Sequence, residues 1–385
     1  MEPSTPLWRE ELETWLKPFV AALGDRRRGR MCPLYVAGLI GPGDRKSIQP
    51  MAARQGVAGY DQLHHFIGAG TWDQTPLERV LLQEADRLVG GEDAFLIIDD
   101  TALPKKGVHS VGVAQQYAGA LGKNANCQAL VSTTLSRGEV PVMMGLRLFL
   151  PQSWTSDPAR MTRARVPPEH QAPKTKPQIA LEEIDRIRAT GVRFGCVLAD
   201  AGYGVSAGFR QGLSERGLSW AVGIGGRQKV YPADVALIFP VSGHGRPRQR
   251  HVPDVKSVAA EKMLETAAWR TVSWRRGTKG MLKARFAAMR VRVADGERQR
   301  IGDMGHQALP GEEAWLIGER RSTGERKYYL SNLPGDSALK TLAAAVKARW
   351  ACEQAHQQLK EELGLDHFEG RSWTGLHRHV LMTMI

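Results

Sequence analysis

The hydrophobic rhythm of the chain changes more than once along its length. Up to about residue 90, apolar side chains recur at helical spacing. Leu12, Trp15, Leu16, Phe19, Val20 and Leu23 form one stripe, with Ser4 as its cap, Pro6 in the first turn and Gly24 as its stop. The basic run Arg26-Arg27-Arg28 follows. Thr75-Pro76-Leu77-Glu78 reads as a capping box with proline at the first helical position. It heads a stripe of Leu77, Val80, Leu81 and Leu88 before Gly90-Gly91. This region predicts either a packed helical bundle or a helical domain that binds DNA ends.

From about residue 92 the pattern becomes α/β. Two apolar runs, 95–98 and 194–199, read as strands buried on both faces, and both run into aspartate. The first meets Asp99 and Asp100, the second Asp200, which would place these acids at C-terminal strand ends, where open α/β sheets build their sites. Residues 128–136 and 140–150 predict an antiparallel pair turning at Arg137-Gly138. Helices are expected over 177–190 and 209–216, and a short strand over 220–224. Between about 226 and 312 the pattern breaks into short, Gly- and Pro-rich segments. Strands at 314–318 and 327–333 follow, and Asp336-Ser337 caps one long helix ending near Gly364. The expected organisation is a helical domain (1–90), an α/β core in two parts (91–225 and 313–385) and a β-rich insertion (226–312).

Charge sharpens this picture. The 385 residues carry a net charge of +13, and residues 243–300 hold 15 Lys and Arg against 5 Asp and Glu. Such an excess favours a polyanionic partner, DNA or RNA. Cys32, Cys127, Cys196 and Cys352 lie far apart with no zinc-like spacing. They are expected as reduced, buried thiols of a cytosolic protein. The first eleven residues carry no signal pattern, and no apolar run approaches the roughly 18 residues of a membrane span.

On a helical wheel Val346, Trp350, Glu353, Gln357 and Lys360 fall within about 80°. Glu353 is therefore expected on an otherwise inward face, flanked by Arg349 and Lys360. Either a buried ion pair, a partly exposed helix end or a functional acid would satisfy that pattern. Together with the two aspartate strands it suggests three carboxylates for hard cations, a two-metal Mg2+ or Mn2+ site suited to phosphodiester chemistry. Strand alternation puts Asp99 and Asp100 on opposite faces without saying which face holds a site. Other motifs fail. The Gly38 to Gly43 stretch before Lys46-Ser47 lacks the uninterrupted ending of a phosphate-binding loop, and Gly223 to Gly226 is too short for a dinucleotide fingerprint. His64, His65 and His367 have no partners at metal spacing and read as surface residues. Trp269 and Trp274 read as core of a small β subdomain, or as platforms for an unpaired base.

The spacing Arg349-x3-Glu353-x6-Lys360 resembles the glutamate helix of DDE transposases of bacterial insertion sequences. Ile98-Asp99-Asp100-Thr101, Pro104 to Gly107, Ser110 to Val113 and Gly122 to Gln128 resemble the family's block around its first aspartate. Leu363 to Trp373 resembles the block after the glutamate. The likeness runs from about residue 90 to the end. It implies an RNase H-like mixed sheet with flanking helices, interrupted between the second aspartate and the glutamate by an insertion. It implies Asp99, Asp200 and Glu353 as catalytic metal ligands, with Asp100 as the rival of Asp99. It implies Arg349 and Lys360 as phosphate contacts, with Lys105, Lys106 and Lys123 as further candidates. The expected activity is metal-dependent cleavage at transposon ends followed by strand transfer into target DNA. The expected partners are double-stranded DNA and a second copy of the chain in a synaptic homodimer, with no membrane. The expected place is the bacterial cytoplasm, at the nucleoid during action. Val346 stands where the wider family pattern has tyrosine, three residues before the arginine, which puts an end-orienting contact in question. The apolar run Val380 to Met384 ends without a cap, the pattern of a truncated product. The rival readings are an inactive or truncated transposase-derived DNA-binding protein and a plain nuclease.

Overall fold

The computed structural model describes residues 7–239, 250–278, 280–301 and 305–385. The Ser4 cap, Pro6 and part of the basic stretch lie outside them. The chain divides into two compact units, Met1–Phe194 with Trp350–Ile385, and Gly195–Arg349.

The first unit opens with helices. α1 (Leu7–Ala22) buries Leu16 and Phe19, as its stripe predicts. The basic run is the first turn of α2 (Arg26–Ile40). Three arginines oppose the positive end of the helix dipole there, and Asp25 compensates by accepting the Arg27 and Arg28 amides at 3.0 Å. α3 (Ile48–Gln55) and α4 (Tyr60–His64) lead to α5 (Thr75–Val89). The expected capping box at Thr75 is absent. Gln74 is the cap residue, and Thr75 turns to Asp73 at 2.7 Å. Glu78 is drawn away by Arg147, which grips both its oxygens at 2.8 and 2.6 Å. Leu88 is exposed, and the buried face runs instead through Leu77, Leu81, Leu82, Ala85 and Val89.

Four strands follow: β1 (Gly91–Pro104), β2 (Ala114–Ala118), β3 (Lys123–Arg137) and β4 (Val140–Leu148). β3 is central. It pairs antiparallel with β1 on one edge, and with β2 and then β4 on the other. The expected hairpin turn is present, with Gly138 at φ 61°, a conformation that glycine adopts without a Cβ clash. One expectation fails here. Asp99 and Asp100 do not end β1; the strand continues to Pro104, with Asp99 opposite Ser132 and Asp100 opposite Val131. Pairing with β3 on one edge carries the strand past its two acids. After α6 (Gln152–Thr155) and α7 (Pro158–Arg163), α8 (Lys176–Ala189) starts at a Thr175–Gln178 capping box.

In the second unit β5 (Phe194–Ala199) leads through α9 (Ala201–Gly204) and α10 (Ala207–Glu215) to β6 (Trp220–Ile224), which runs parallel to β5. The segment expected to be short and irregular holds β7 (Lys229–Pro232), the small pair β8 (Leu237–Ile238) and β9 (Val252–Pro253), β10 (Val258–Ala259), α11 (Ala260–Met263) and β11 (Arg270–Gly277). It also holds two long strands, β12 (Gly280–Arg300) and β13 (His306–Arg320), before β14 (Arg326–Ser331). Neighbours run in the order β10-β7-β12-β13-β14-β6-β5, with β11 also on β12. The register shifts between Arg292 and Ala294 and again before Arg298 break the alternation that would have marked one long strand.

The single long helix expected from 336 to 364 is two helices, α12 (Leu339–Ala348) and α13 (Trp350–Glu361), separated at Arg349. Ala338, not Asp336 or Ser337, precedes the first turn. α12 buries Leu342, Ala343, Ala345 and Val346, whereas α13 buries Ala351, Cys352, Ala355, His356 and Leu359. The two faces are out of phase, so Glu353 is exposed rather than inward. The wheel had carried the phase of α12 across a break that no Gly or Pro marks.

The first unit closes with α14 (Trp373–Met384), buried along most of its length against the apolar cluster of α1 to α5. Its Arg378 is 2% exposed and donates to the Gly70 and Trp72 carbonyls at 2.7 and 2.6 Å. Burial pulls its guanidinium down to about 10, and pushes the neighbouring His377 and His379 down to about 4, so both imidazoles are neutral in the core. All four cysteines are free and buried. Among the described residues, no helix is long and apolar enough to cross a membrane.

Candidate active site

In the first unit the acid of interest is positioned by β1 and α13. Asp99 Oδ1 accepts the Asp100 amide at 2.8 Å, and its Oδ2 lies 3.1 Å from Cys352 Sγ on α13. The Asp99 carbonyl accepts Ser132 Oγ at 3.0 Å, and that hydroxyl meets His356 Nε2 at 2.9 Å. Cys352 and His356 stand four residues apart, on one face of the helix. Together they set the rotation of α13 against β1 and β3. Glu353, one residue on, is turned about 100° from Cys352 and emerges at the helix flank. A carboxylate can thus be presented from a helix whose adjoining face is fully packed.

Asp100 points the other way, as strand alternation requires. Its carboxylate is ion-paired with Lys176, at the start of α8. The two adjacent acids are thereby distinguished: one faces the α13 side, and the other is neutralised by a lysine that the sequence reading did not single out. Lys176 has no distinguishing sequence signal; it is one lysine after a capping threonine.

Asp200, in the second unit, follows β5 directly, as the strand-end expectation requires. It caps α9, with Oδ1 accepting the Tyr203 amide at 3.3 Å. Its backbone lies tightly on β6. A Cβ added at Gly223 would come within 2.8 Å of the Ala201 nitrogen and 3.1 Å of the Asp200 carbonyl carbon. A Cβ at Gly204 would fall on the Gly223 carbonyl oxygen. Two glycines therefore let this turn close. Gly223→Ala is expected to displace Asp200 and to slow any reaction that depends on its carboxylate by about 10²-fold, since small displacements of reacting groups cost that much. Single-turnover rates check this, and an unchanged rate would show that the turn has slack.

The basic candidates separate. Arg349 is half-buried at the end of α12. Lys347, two residues earlier, fixes α12 to β13 through Glu319 at 2.8 Å. Burial opposes the Glu319 charge, but hydrogen bonds from Lys347, Tyr329 and Arg321 hold its carboxyl below the usual range. Lys360 is half-buried on α13, and burial lowers its ammonium. Lys105 is committed elsewhere. Its Nζ donates to the Asp366 and Phe368 carbonyls at 3.0 and 2.7 Å, and burial lowers it to about 8. Lys106 and Lys123 are exposed. Trp269 and Trp274 are half-buried, with the Arg320 guanidinium 3.9 Å and the Lys347 ammonium 4.9 Å from their ring centres. His64 and His65 are exposed; His367 is half-buried and accepts the Lys46 amide at 3.0 Å.

Among the described residues, no group of three or more His, Cys, Asp or Glu stands together for a metal ion. Asp99 and Glu353 belong to one unit and Asp200 to the other. The donor chemistry of the three carboxylates is nonetheless that of hard divalent cations.

Residues 18–281 match the family model described as DDE superfamily endonuclease. The chain is 31% identical over 188 residues to the probable transposase for insertion sequence element IS701 of Microchaete diplosiphon, a match spanning 49% of this chain and 46% of that protein. The chain thus covers less than half the length of that relative. Its structure matches the cryo-EM piggyBac transposase synaptic complex with hairpin DNA at a TM-score of 0.40 and 10% identity, over 92% of this chain and 62% of that one.

Proposed function

This chain belongs to the DDE superfamily of endonucleases, and from that premise we propose that it is a transposase that cleaves DNA at transposon ends and joins the freed ends to target DNA. The observation that carries this reading is the contact between the Asp99 carboxylate and Cys352. It brings the β1 acid beside the residue that precedes Glu353. Asp99, Asp200 and Glu353 would hold Mg2+ or Mn2+, with Asp100 reserved by Lys176. The bound ions would activate the attacking oxygen and stabilise the leaving one.

The chain's own residues do the rest. Arg349 offers a planar fork and Lys360 a point charge for phosphates beside the scissile bond. Cys352, Ser132 and His356 hold α13 against the strand that carries Asp99. The antiparallel set β1-β3-β4 and the parallel pair β5-β6 support an RNase H-like core over 91–225 and 313–385. The long strands between them form the insertion, and residues 1–90 the helical domain. Cleavage adds water across a phosphodiester, leaving a 5′-phosphate and a free 3′-hydroxyl; that hydroxyl then attacks a target phosphodiester and displaces the 3′-oxygen of the target strand. Two ends are handled together by a homodimer, at the bacterial nucleoid.

The test is a nicking and strand-transfer assay with duplexes bearing the element's termini. Divalent-dependent nicks and joined products are expected, abolished by chelation and by Asp200→Asn. Wild-type cleavage by Asp200→Asn sinks the assignment. Binding with no cleavage under any divalent ion identifies the runner-up, an inactive transposase-derived DNA-binding protein.

A further inference from the structure

We propose that a basic cleft in the first unit, separate from the carboxylates, is a second DNA-contact site in which Arg163, Arg165 and Arg371 hold backbone phosphates. The inference rests on the reading of this chain as a DNA-acting protein. The cleft has a volume of about 460 Å3 and is lined by Lys46, Tyr60 and His64 of the helical region together with the three arginines. These residues come from four distant stretches of chain, so no local motif announces them.

Its chemistry is that of an anion site. All three arginines are exposed, and among the described residues none is joined to a carboxylate in an ion pair. Glu369 also lines the cleft, but its charge is neutralised by pairing with Arg45. Tyr35 and His379 also line the cleft, where the Tyr35 hydroxyl and His379 Nδ1 meet at 2.8 Å in a buried, uncharged pair. The rim is held in place by Lys105, which grips the Asp366 and Phe368 carbonyls. Tyr60 is 48% exposed and stacks on His64 with centroids 5.5 Å apart, giving the cleft a flat aromatic edge.

Arg165 supplies an independent observation. It is the one non-glycine residue with positive φ among the described residues, at 56°. The Arg165 amide bonds the Thr162 carbonyl at 3.0 Å, and the Val166 amide bonds the Met161 carbonyl at 3.0 Å. That pair of bonds is the Schellman ending of α7, whose left-handed position is ordinarily glycine. An arginine kept where glycine relieves strain points to a use for its side chain.

The same feature provides the test. Arg165→Gly removes the charge while easing the backbone, so folding and binding are expected to move in opposite directions. With the full chain and a labelled duplex of about 30 base pairs, affinity at 0.1 M salt is expected to fall about tenfold, and the slope of log K against log salt to shrink by about 1. The melting temperature should stay level or rise. R163A/R165G/R371A should shrink the slope by about 3, whereas Lys17→Ala, on α1 outside the cleft, should leave it unchanged. A triple variant with wild-type affinity and slope overturns the cleft, while wild-type binding keeps the DNA reading intact. A Lys17→Ala loss as large as that of Arg165→Gly overturns it too. No duplex binding by the wild type removes both.

Discussion

Asp99→Asn is expected to abolish divalent-dependent cleavage, by about 10³-fold or more, while Asp100→Asn stays within about tenfold of the wild type. The two acids differ by one position and by nothing in composition. Their surroundings differ completely. Asp99 faces α13 through Cys352, whereas Asp100 is neutralised by Lys176. An amide at Asp99 keeps the shape of the side chain and removes the charge that a hard cation requires. The amide at Asp100 loses one partly exposed ion pair, which is worth little. Single-turnover cleavage with both variants at saturating DNA separates the effects from binding. Loss at Asp100 with retention at Asp99 would reverse the ligand assignment and require β1 to present its other face.

Arg147→Ala is expected to destabilise the first unit by about 3–5 kcal/mol. Arg147 stands on β4 and binds three carboxylate oxygens: both of Glu78, on α5, and one of Glu183, on α8, at 2.8 Å. Burial resists ionisation of Glu78, yet the hydrogen bonds and charge of Arg147 hold its carboxyl down at about 2. Arg186 contributes a further 2.8 Å contact to Glu183. Alanine would leave two carboxylates facing one arginine in a buried setting, and a domain's whole stability is about 5–15 kcal/mol. Replacing the set by Arg147→Met with Glu78→Gln and Glu183→Gln should recover most of the loss, because the cost lies in the unpaired charge. Urea unfolding checks both variants. A loss below about 1 kcal/mol for Arg147→Ala would mean that water reaches the cluster freely.

That cluster also shows what the sequence could and could not reveal. Thr75-Pro76-Leu77-Glu78 has the spacing of a capping box, and local bonding alone would have formed one. The tertiary partner Arg147 outcompeted it from 69 positions away. Where local rules act unopposed, as in the hairpin at Gly138 and the Trp220–Ile224 strand, the elements were legible. The position of Asp200 at a strand end was legible because an apolar run stops at it. The β1 acids misled, because a strand that continues past two aspartates has no apolar signature. β2 was missed: Ala114–Ala118 is a short, polar edge strand. The exposure of Glu353 was missed because the rotation of α13 depends on Cys352 and His356 meeting β1 and β3, contacts that no wheel contains.

The first unit is built from two stretches that lie far apart in sequence, and this has a consequence for synthesis. Trp15 Nε1 donates to the Ile385 carbonyl at 2.9 Å across 370 positions, and α14 fills the core of α1 to α5. During translation, residues 1–194 emerge without the helix that completes their core. At about 5–20 residues per second, the remaining stretch takes roughly 10–40 s to make. For that interval the apolar faces awaiting α14 are open to other partners, so the synthesis of α14 decides when the earlier helices become safe from aggregation.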